Sequence, residues 1–419
     1  MVTNPPGTFS ALKFPEFRAL WFGSLLSFVA FFMSTIVQSV VAFEVGGTNS
    51  AVGKIVSGQG IAMLLIGPLG GAIADRWPKR RVIVFGQALA AGVFLWTGLL
   101  IASGAMTIVW LAISAFSIGV SIAFIGPSRQ GMTVELVPAT MRGNAMAINN
   151  VANTGARVMG PAVAGILLAW ESSGPAGSYL IMTLCYLAAT VFMAWVPRIE
   201  VQPEARSRPV LRDIAEGLSY VFSHKRLRLL VLFFTISIFM GFPHVTVLPG
   251  LAENALGGTA VDISELFLAS AVGALAASLA VTRFGDSPHA DIIYTGMAGL
   301  FGVSLLGLAW SPSFFWAQLS MFGVGAGSGG FQALNASVIA RETALPYIGR
   351  VMSLVMLAFG GFGLMALPYG YLADWAGERN TIVVMGCSVL LVTAVFRFLL
   401  VRESADRESA PLPAEPLDS

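Results

Sequence analysis

Long apolar runs recur along this chain too often, and at too regular a length, to be the core of a soluble domain. A helix needs about 20 apolar residues to cross a bilayer, and such runs extend from Val52 to Ala74, from Val82 to Ala102 and onward to Leu400. Only 11% of the 419 residues are charged, against roughly 25% in soluble domains, and the mean hydropathy is +0.78. The pattern predicts an all-α polytopic membrane protein of twelve spans. These fall near 19–43, 53–74, 82–103, 106–130, 144–169, 177–197, 228–250, 264–283, 290–310, 313–339, 351–373 and 380–400. Neither enzymatic chemistry nor a nucleic-acid partner is expected of it. The partners implied are the lipid bilayer and a small molecule, with the chain acting as a monomer.

The few charges are sorted by side. Arg76, Lys79, Arg80, Arg81, Arg142, Arg198, Arg206, Arg208, Arg212, Lys225, Arg226, Arg283, Arg341 and Arg350 fall on alternate connections, whereas the intervening loops hold only Lys54 and Arg379. Lys and Arg mark the cytoplasmic side, so both termini are predicted to be cytosolic. Residues 1–17 are polar and contain Pro, so neither a cleavable signal nor a lipidation anchor is expected there. Cys185 and Cys387 lie inside apolar spans and read as packing residues.

The chain divides into a six-helix half at 1–197, a linker at 198–227, a second half at 228–400 and a charged, Pro-rich tail at 401–419, expected to be disordered and cytosolic. Within the linker, Leu211, Ile214, Leu218 and Val221–Phe222 repeat with helical spacing between Arg212, Asp213 and Glu216. That is an amphipathic helix suited to a membrane surface. The halves repeat each other. Met33 matches Met240, Arg76-Trp77-Pro78 matches Arg283-Phe284-Gly285, and Pro161 matches Pro368, each pair 207 positions apart (240 − 33 for the first).

One connection is distinctive. Gly71-Ala-Ile-Ala-Asp75-Arg76-Trp-Pro-Lys79-Arg80-Arg81 packs five charges into its last seven residues, between the second and third apolar runs. It resembles the loop 2–3 signature of the major facilitator superfamily, Gly-x-Leu-x-Asp-Arg-x-Gly-Arg-Arg. The resemblance implies two six-helix bundles around a central substrate cavity and a latch in which Asp75 docks near Arg350 at the start of helix 11. Gly71, Asp75, Arg76, Lys79, Arg80, Glu135, Arg142 and Arg350 are the latch candidates, with Glu135 expected to pair with Arg80 or Arg76. For the basic residues, simple topogenic placement explains the pattern equally well. The second copy of the hairpin carries Thr282 where the first has Asp75.

Arg157 lies mid-span in Asn153-Thr-Gly-Ala-Arg157-Val-Met-Gly160-Pro161. A cation near the bilayer centre costs about 2.5–3.5 kcal/mol on insertion scales, so it must face the bundle interior or a wet cavity. Asn153 sits one turn earlier on the same face. The segment resembles the helix-5 signature of export-type members of the superfamily, and a structural arginine held by helix-end carbonyls is the alternative. Arg129, beside Gln130, resembles the helix-4 arginine of drug exporters, while snorkelling to the interface is its plain explanation. No acid falls at mid-depth in any span, which leaves His244 and the rim carboxylates Glu44, Glu265 and Asp374 as titratable candidates for coupling. Gln38, Phe31, Asn149, Phe239 and Asn335, with Phe28, Phe32, Phe233, Phe234 and Gln332, are the candidate cavity lining, an aromatic wall suited to an amphipathic solute. Lipid-facing or packing roles compete for every one of these Phe residues.

Within the superfamily the chain resembles the enterobactin-exporter-like group, or transmembrane secretion effectors, and the macrolide exporters. The resemblance rests on Phe17-Arg18-Ala-Leu-Trp21, Gly126-Pro127-Ser-Arg129-Gln130, Glu135-Leu-Val-Pro138, Ala145-Met-Ala-Ile-Asn149 and Asp213-Ile-Ala-Glu216-Gly217. It implies a bacterial cytoplasmic-membrane exporter of siderophore- or drug-like molecules, driven by an ion gradient, with proton antiport expected and no bound cofactor. An importer, facilitator or lipid flippase on the same scaffold, and a non-transporting sensor, remain open.

Overall fold

The apolar runs become helices because nothing within a bilayer core except the chain itself can satisfy backbone N–H and C=O groups. The computed structural model describes residues 9–170, 174–197, 210–281, 284, 287, 289–344 and 347–408, and all regular structure among them is helical. The first half holds α1 (Pro15–Gly46), α2 (Asn49–Arg76), α3 (Lys79–Ala102), α4 (Ile108–Glu135), α5 (Arg142–Ala169) and α6 (Gly174–Ala194). The amphipathic α7 (Val210–Ser223) follows. The second half holds α8 (Lys225–Gly241), α9 (His244–Gly250), α10 (Ala260–Val281), α11 (Ala290–Ala309), α12 (Phe314–Arg341), α13 (Ile348–Ala376) and α14 (Glu378–Glu408). Thr48 and Thr107 cap α2 and α4 by accepting from the Ala51 and Trp110 amides. Gly47, at φ 63°, closes α1 in the left-handed region that favours glycine.

Among the described residues, eleven helical segments are long and apolar enough to cross a bilayer. The twelfth, α12, is 28 residues long but diluted by glycine. Its glycines serve two neighbours at once. A Cβ on Gly325 or Gly329 would collide with Ser270 or Ala274 of α10, and one on Gly327 with Phe301 of α11. Exposed tryptophans sit at both rims, Trp77 and Trp195 on the basic face and Trp110, Trp170, Trp310, Trp316 and Trp375 on the opposite one, where amphipathic rings settle at membrane–water boundaries.

Two spans differ from those expected by more than a few residues at an end. The seventh span begins at Lys225, breaks after Gly241 at Pro243, and closes in a wide turn over Leu251–Ala255. Proline at 243 removes a donor and forces the break. The last helix continues through residues 401–408 of the expected tail, because Glu403 is drawn into an ion-pair network with Arg226. Residues 409–419 and the linker residues 198–209, with Arg198, Arg206 and Arg208, lie outside the described residues, as does Arg283.

The two halves meet along α2–α13 and α5–α10. The first seam is a small-residue zipper. A Cβ on Gly60 would lie 2.7 Å from the Gly363 Cα, and one on Gly53 2.8 Å from the Ala366 carbonyl. Ser57 reinforces it by donating to the Gly363 carbonyl at 2.6 Å.

Candidate functional site

On the basic face, α3 starts at Lys79, whose stem crosses over Gly131 and reaches the end of α4, where Nζ meets Glu135 at 2.6 Å. The expected pairing of Glu135 with Arg80 or Arg76 is thereby corrected. Arg80 is the next residue, turned about 100° around the helix, and donates instead to the Ala194 carbonyl at 2.6 Å. Arg142 Nε donates to the Val134 carbonyl. Arg350 bonds Glu216 of α7 at 3.0 Å and stacks on Tyr347. Tyr220 of α7 lies flat against Tyr347, with ring centroids 4.1 Å apart, so the amphipathic helix is pinned to the start of α13. The backbone of α2 runs helically through Gly71, Asp75 and Arg76, while the side chains of Asp75 and Arg76 lie outside the described residues.

The opposite face carries a latch that sequence reasoning did not single out. Asp374, at the end of α13, accepts from the Asn49 and Ser50 amides at the start of α2, at 2.7 and 3.1 Å. A carboxylate here meets the unpaired N–H groups and positive end of a helix, the placement that favours an anion. Glu378 accepts from Asn49 Nδ2 at 3.0 Å and from Asn254 Nδ2 at 2.8 Å, joining the halves a second time. Together with the Ser57 bond, these contacts join the two halves along the end of the α2–α13 seam opposite the basic face. The signal was present in the sequence: Gly370-Tyr-Leu-Ala-Asp374 repeats the pattern of Gly71-Ala-Ile-Ala-Asp75 at the other end of the partner helix. Arg379, an exception to the charge sorting, donates to the Ala309 and Ser311 carbonyls at the end of α11.

A second unforeseen centre lies at the basic end of the second half. Buried Arg226 contacts Asp291, Glu342 at 2.9 Å and Glu403 at 3.2 Å, tying α8 to α11, α14 and the residue after α12. Glu342 stands 207 positions after Glu135 (342 − 135), so each half ends its fourth helix in an acid held by a cation from another helix.

Between these faces, Arg129 and Arg157 occupy the first half. The Arg129 guanidinium lies 3.8 Å from the centroid of Phe28 and donates to Ser27 Oγ at 3.3 Å. Arg157 lies 5.3 Å from the centroid of Phe32. Gly160 lets α5 approach α1 there, since a Cβ would meet Phe32 Cβ at 2.7 Å. Pro161 follows inside the same helix, and Asn153 lies half-buried one turn before Arg157. His244 is buried and donates from Nδ1 to the Gly241 carbonyl, whereas Glu44 is exposed at the end of α1.

The expected cavity wall is only partly gathered. Phe233 and Phe234 pack into a core with Phe331, and Phe233 also meets Tyr294 and Phe396. Asn335 accepts from Tyr294 Oη at 2.8 Å inside the same core. These three residues complete the packing of the second half, and a line of aromatics cannot announce this without its neighbours. Phe239 fills the space over Gly361, Gln332 bonds its own helix, and Gln38 and Asn149 are buried in the first half. Phe31 stands edge-on to Phe32 on α1.

Comparison with known proteins agrees with this architecture. The family model described as transmembrane secretion effector matches residues 6–418. Macrolide efflux protein A of Streptococcus pyogenes is 22% identical over 91% of this chain and 95% of its own. The staphyloferrin A transporter of Staphylococcus aureus is 24% identical over 81% and 85%. A bacterial homologue of the human lysosomal transporter Spinster superposes with a TM-score of 0.73 at 15% identity, covering 95% of this chain and 98% of that one. The chain therefore belongs to the transmembrane secretion effector family of the major facilitator superfamily, a family of transporters and not of enzymes.

Proposed function

We propose that this protein is a secondary active exporter that moves amphipathic, siderophore- or drug-like molecules across a bacterial cytoplasmic membrane by alternating access. The observation that carries the reading is the bonded end of the α2–α13 seam opposite the basic face, where Asp374, Glu378 and Ser57 join the two halves. One zipped face is what one limb of a rocking cycle requires. The sorting of Lys and Arg supports placing the basic face and both termini in the cytosol, so the zipped face is the outer one. Asp374 and Glu378 then hold the outward door shut, and the Asp75 hairpin is the matching latch for the other half-cycle. Relatives named for macrolide efflux and staphyloferrin A transport support an amphipathic cargo.

The test is uptake into everted membrane vesicles, where export appears as accumulation, with erythromycin and an aromatic dye as trial cargoes. Energy-dependent accumulation in everted vesicles, absent from right-side-out ones, is expected, accompanied by proton release from the lumen if the exchange is proton antiport. Accumulation only in right-side-out vesicles means an importer. A second reading, a facilitator or a carrier coupled to another ion, is favoured by one specific feature: no span carries an acid at mid-depth. Cargo movement without proton movement selects it.

A further inference from the structure

Two cations stand on one face of α1 without an acid. Ser24, Phe28 and Phe32 follow one another at four-residue spacing and so line a single stripe of that helix. The Arg129 guanidinium lies on Phe28 and that of Arg157 on Phe32, one turn further along. Neither arginine has a carboxylate within ion-pair distance among the described residues, although Lys79, Arg212, Arg226 and Arg350 all do. The narrow crevice beside Arg129, too tight in this state to admit a water molecule, is lined by Ser24 and Gln87, 2% and 3% exposed, and the Ser24 hydroxyl and the Gln87 amide oxygen have no hydrogen-bond partner among the described residues. Ring faces attract cations weakly compared with an anion, and like charges one turn apart in a low-dielectric setting repel. The stripe thus carries two positive charges and, among the described residues, no compensating acid.

We propose that Arg129 and Arg157, with the Ser24–Phe28–Phe32 stripe of α1, form the binding site for a carboxylate of the cargo, so that the transported class is an amphipathic organic anion. The stripe takes the apolar body of the molecule and the guanidinium groups take the charge, which they recognise by paired N–H donors. The proposal rests on the transport reading above and narrows its substrate class.

A matched pair of probes tests it: 1-naphthylacetate and the neutral 1-naphthylacetamide, which share a ring system and differ in charge. Binding to the purified full chain in phosphatidylcholine vesicles is followed by thermal stabilisation. The acid should stabilise the wild type and the amide should not. Arg129→Gln and Arg157→Gln should each weaken binding of the acid about tenfold or more, as loss of a charge-assisted contact implies. Arg228→Gln, at a guanidinium bonded to the Phe222 carbonyl, should bind like the wild type, and Arg157→Lys should recover part of the loss. Equal stabilisation by acid and amide overturns the proposal, as does equal stabilisation by chloride or phosphate at the same concentration, which would mean an adventitious ion only. Loss of acid binding on adding phosphatidylglycerol also overturns it, since a lipid phosphate would then be the occupant. If a Gln variant fails to fold, the wild-type comparison of acid with amide still decides. Export of a neutral dye by the wild type reports on transport separately: dye export without acid preference defeats the anion site alone, and absence of both defeats the transport reading.

Discussion

Replacing Asp374 by alanine should open the outer face. Its carboxylate holds two backbone amides of the opposite half, at 2.7 and 3.1 Å, and a charge-assisted bond contributes about 1.5–3 kcal/mol where water is excluded. Asp374 is exposed, so screening reduces the pair to about 1–2 kcal/mol, in line with an anion at a helix start. Since about 1.4 kcal/mol is a factor of ten in a population ratio, Asp374→Ala should raise the outward-open to outward-closed ratio about five- to thirtyfold. Asp374→Asn, which keeps one acceptor oxygen but no charge, should fall between. Spin labels at Ser103 and Trp310, exposed outer-face positions on opposite halves, in a background lacking Cys185 and Cys387, would report the opening as a longer distance component. An unchanged distance distribution in Asp374→Ala would refute the latch, because the stabilising contact would then contribute nothing to the balance of states.

Other substitutions probe the same framework. Gly60→Val places a Cβ 2.7 Å from the Gly363 Cα and 2.8 Å from the Gly360 carbonyl, so the seam cannot close; the same labels should show an open outer face in a protein that still inserts. Arg226→Ala leaves Asp291, Glu342 and Glu403 without their shared cation; stripping one partner from a buried pair costs about 3–5 kcal/mol, and a lowered melting temperature in detergent would show it. Asp75→Asn should leave expression and insertion normal while sharply reducing transport in everted vesicles, and unchanged transport removes Asp75 from the switch.

What the sequence disclosed and what it concealed divide along a physical line. Features that depend on one segment were readable: apolar length decides which helices can span, Lys and Arg placement separates the faces, and the 3.6-residue rhythm of Leu211, Ile214, Leu218 and Val221 marks α7. Features that depend on rotation about a helix axis were not. Lys79 and Arg80 are neighbours in sequence, yet one reaches Glu135 and the other the end of α6. Arg226 gathers acids 65, 116 and 177 positions away (291 − 226, 342 − 226, 403 − 226), and no local pattern encodes that. Phe233 and Phe234 form a stripe indistinguishable in sequence from Phe28 and Phe32; only packing shows that the first pair closes a core while the second carries two guanidinium groups. Asp374 lies between these cases. Its Gly-x-x-Ala-Asp pattern was visible, but its meaning required seeing that α13 ends beside the start of α2.

An anionic cargo would also account for the missing mid-membrane acid. A carrier of neutral molecules needs a titratable group to couple transport to proton entry, whereas an anion leaving a cytosol held negative is driven by the membrane potential itself. One charge crossing 100 mV is worth about 2.3 kcal/mol, a concentration ratio of about forty to fifty. The two guanidinium groups would neutralise that charge while it crosses the low-dielectric core, where a bare anion would not enter. Uptake of 1-naphthylacetate into everted vesicles should therefore accelerate under an inside-positive potassium diffusion potential set by valinomycin, with the pH equal on both sides. Uptake of a transported neutral dye should respond far less, because the charge carried by the site does not change with that cargo. An anion uptake rate indifferent to the imposed potential, but dependent on a pH gradient, would refute this coupling and return the search to His244 and the rim carboxylates.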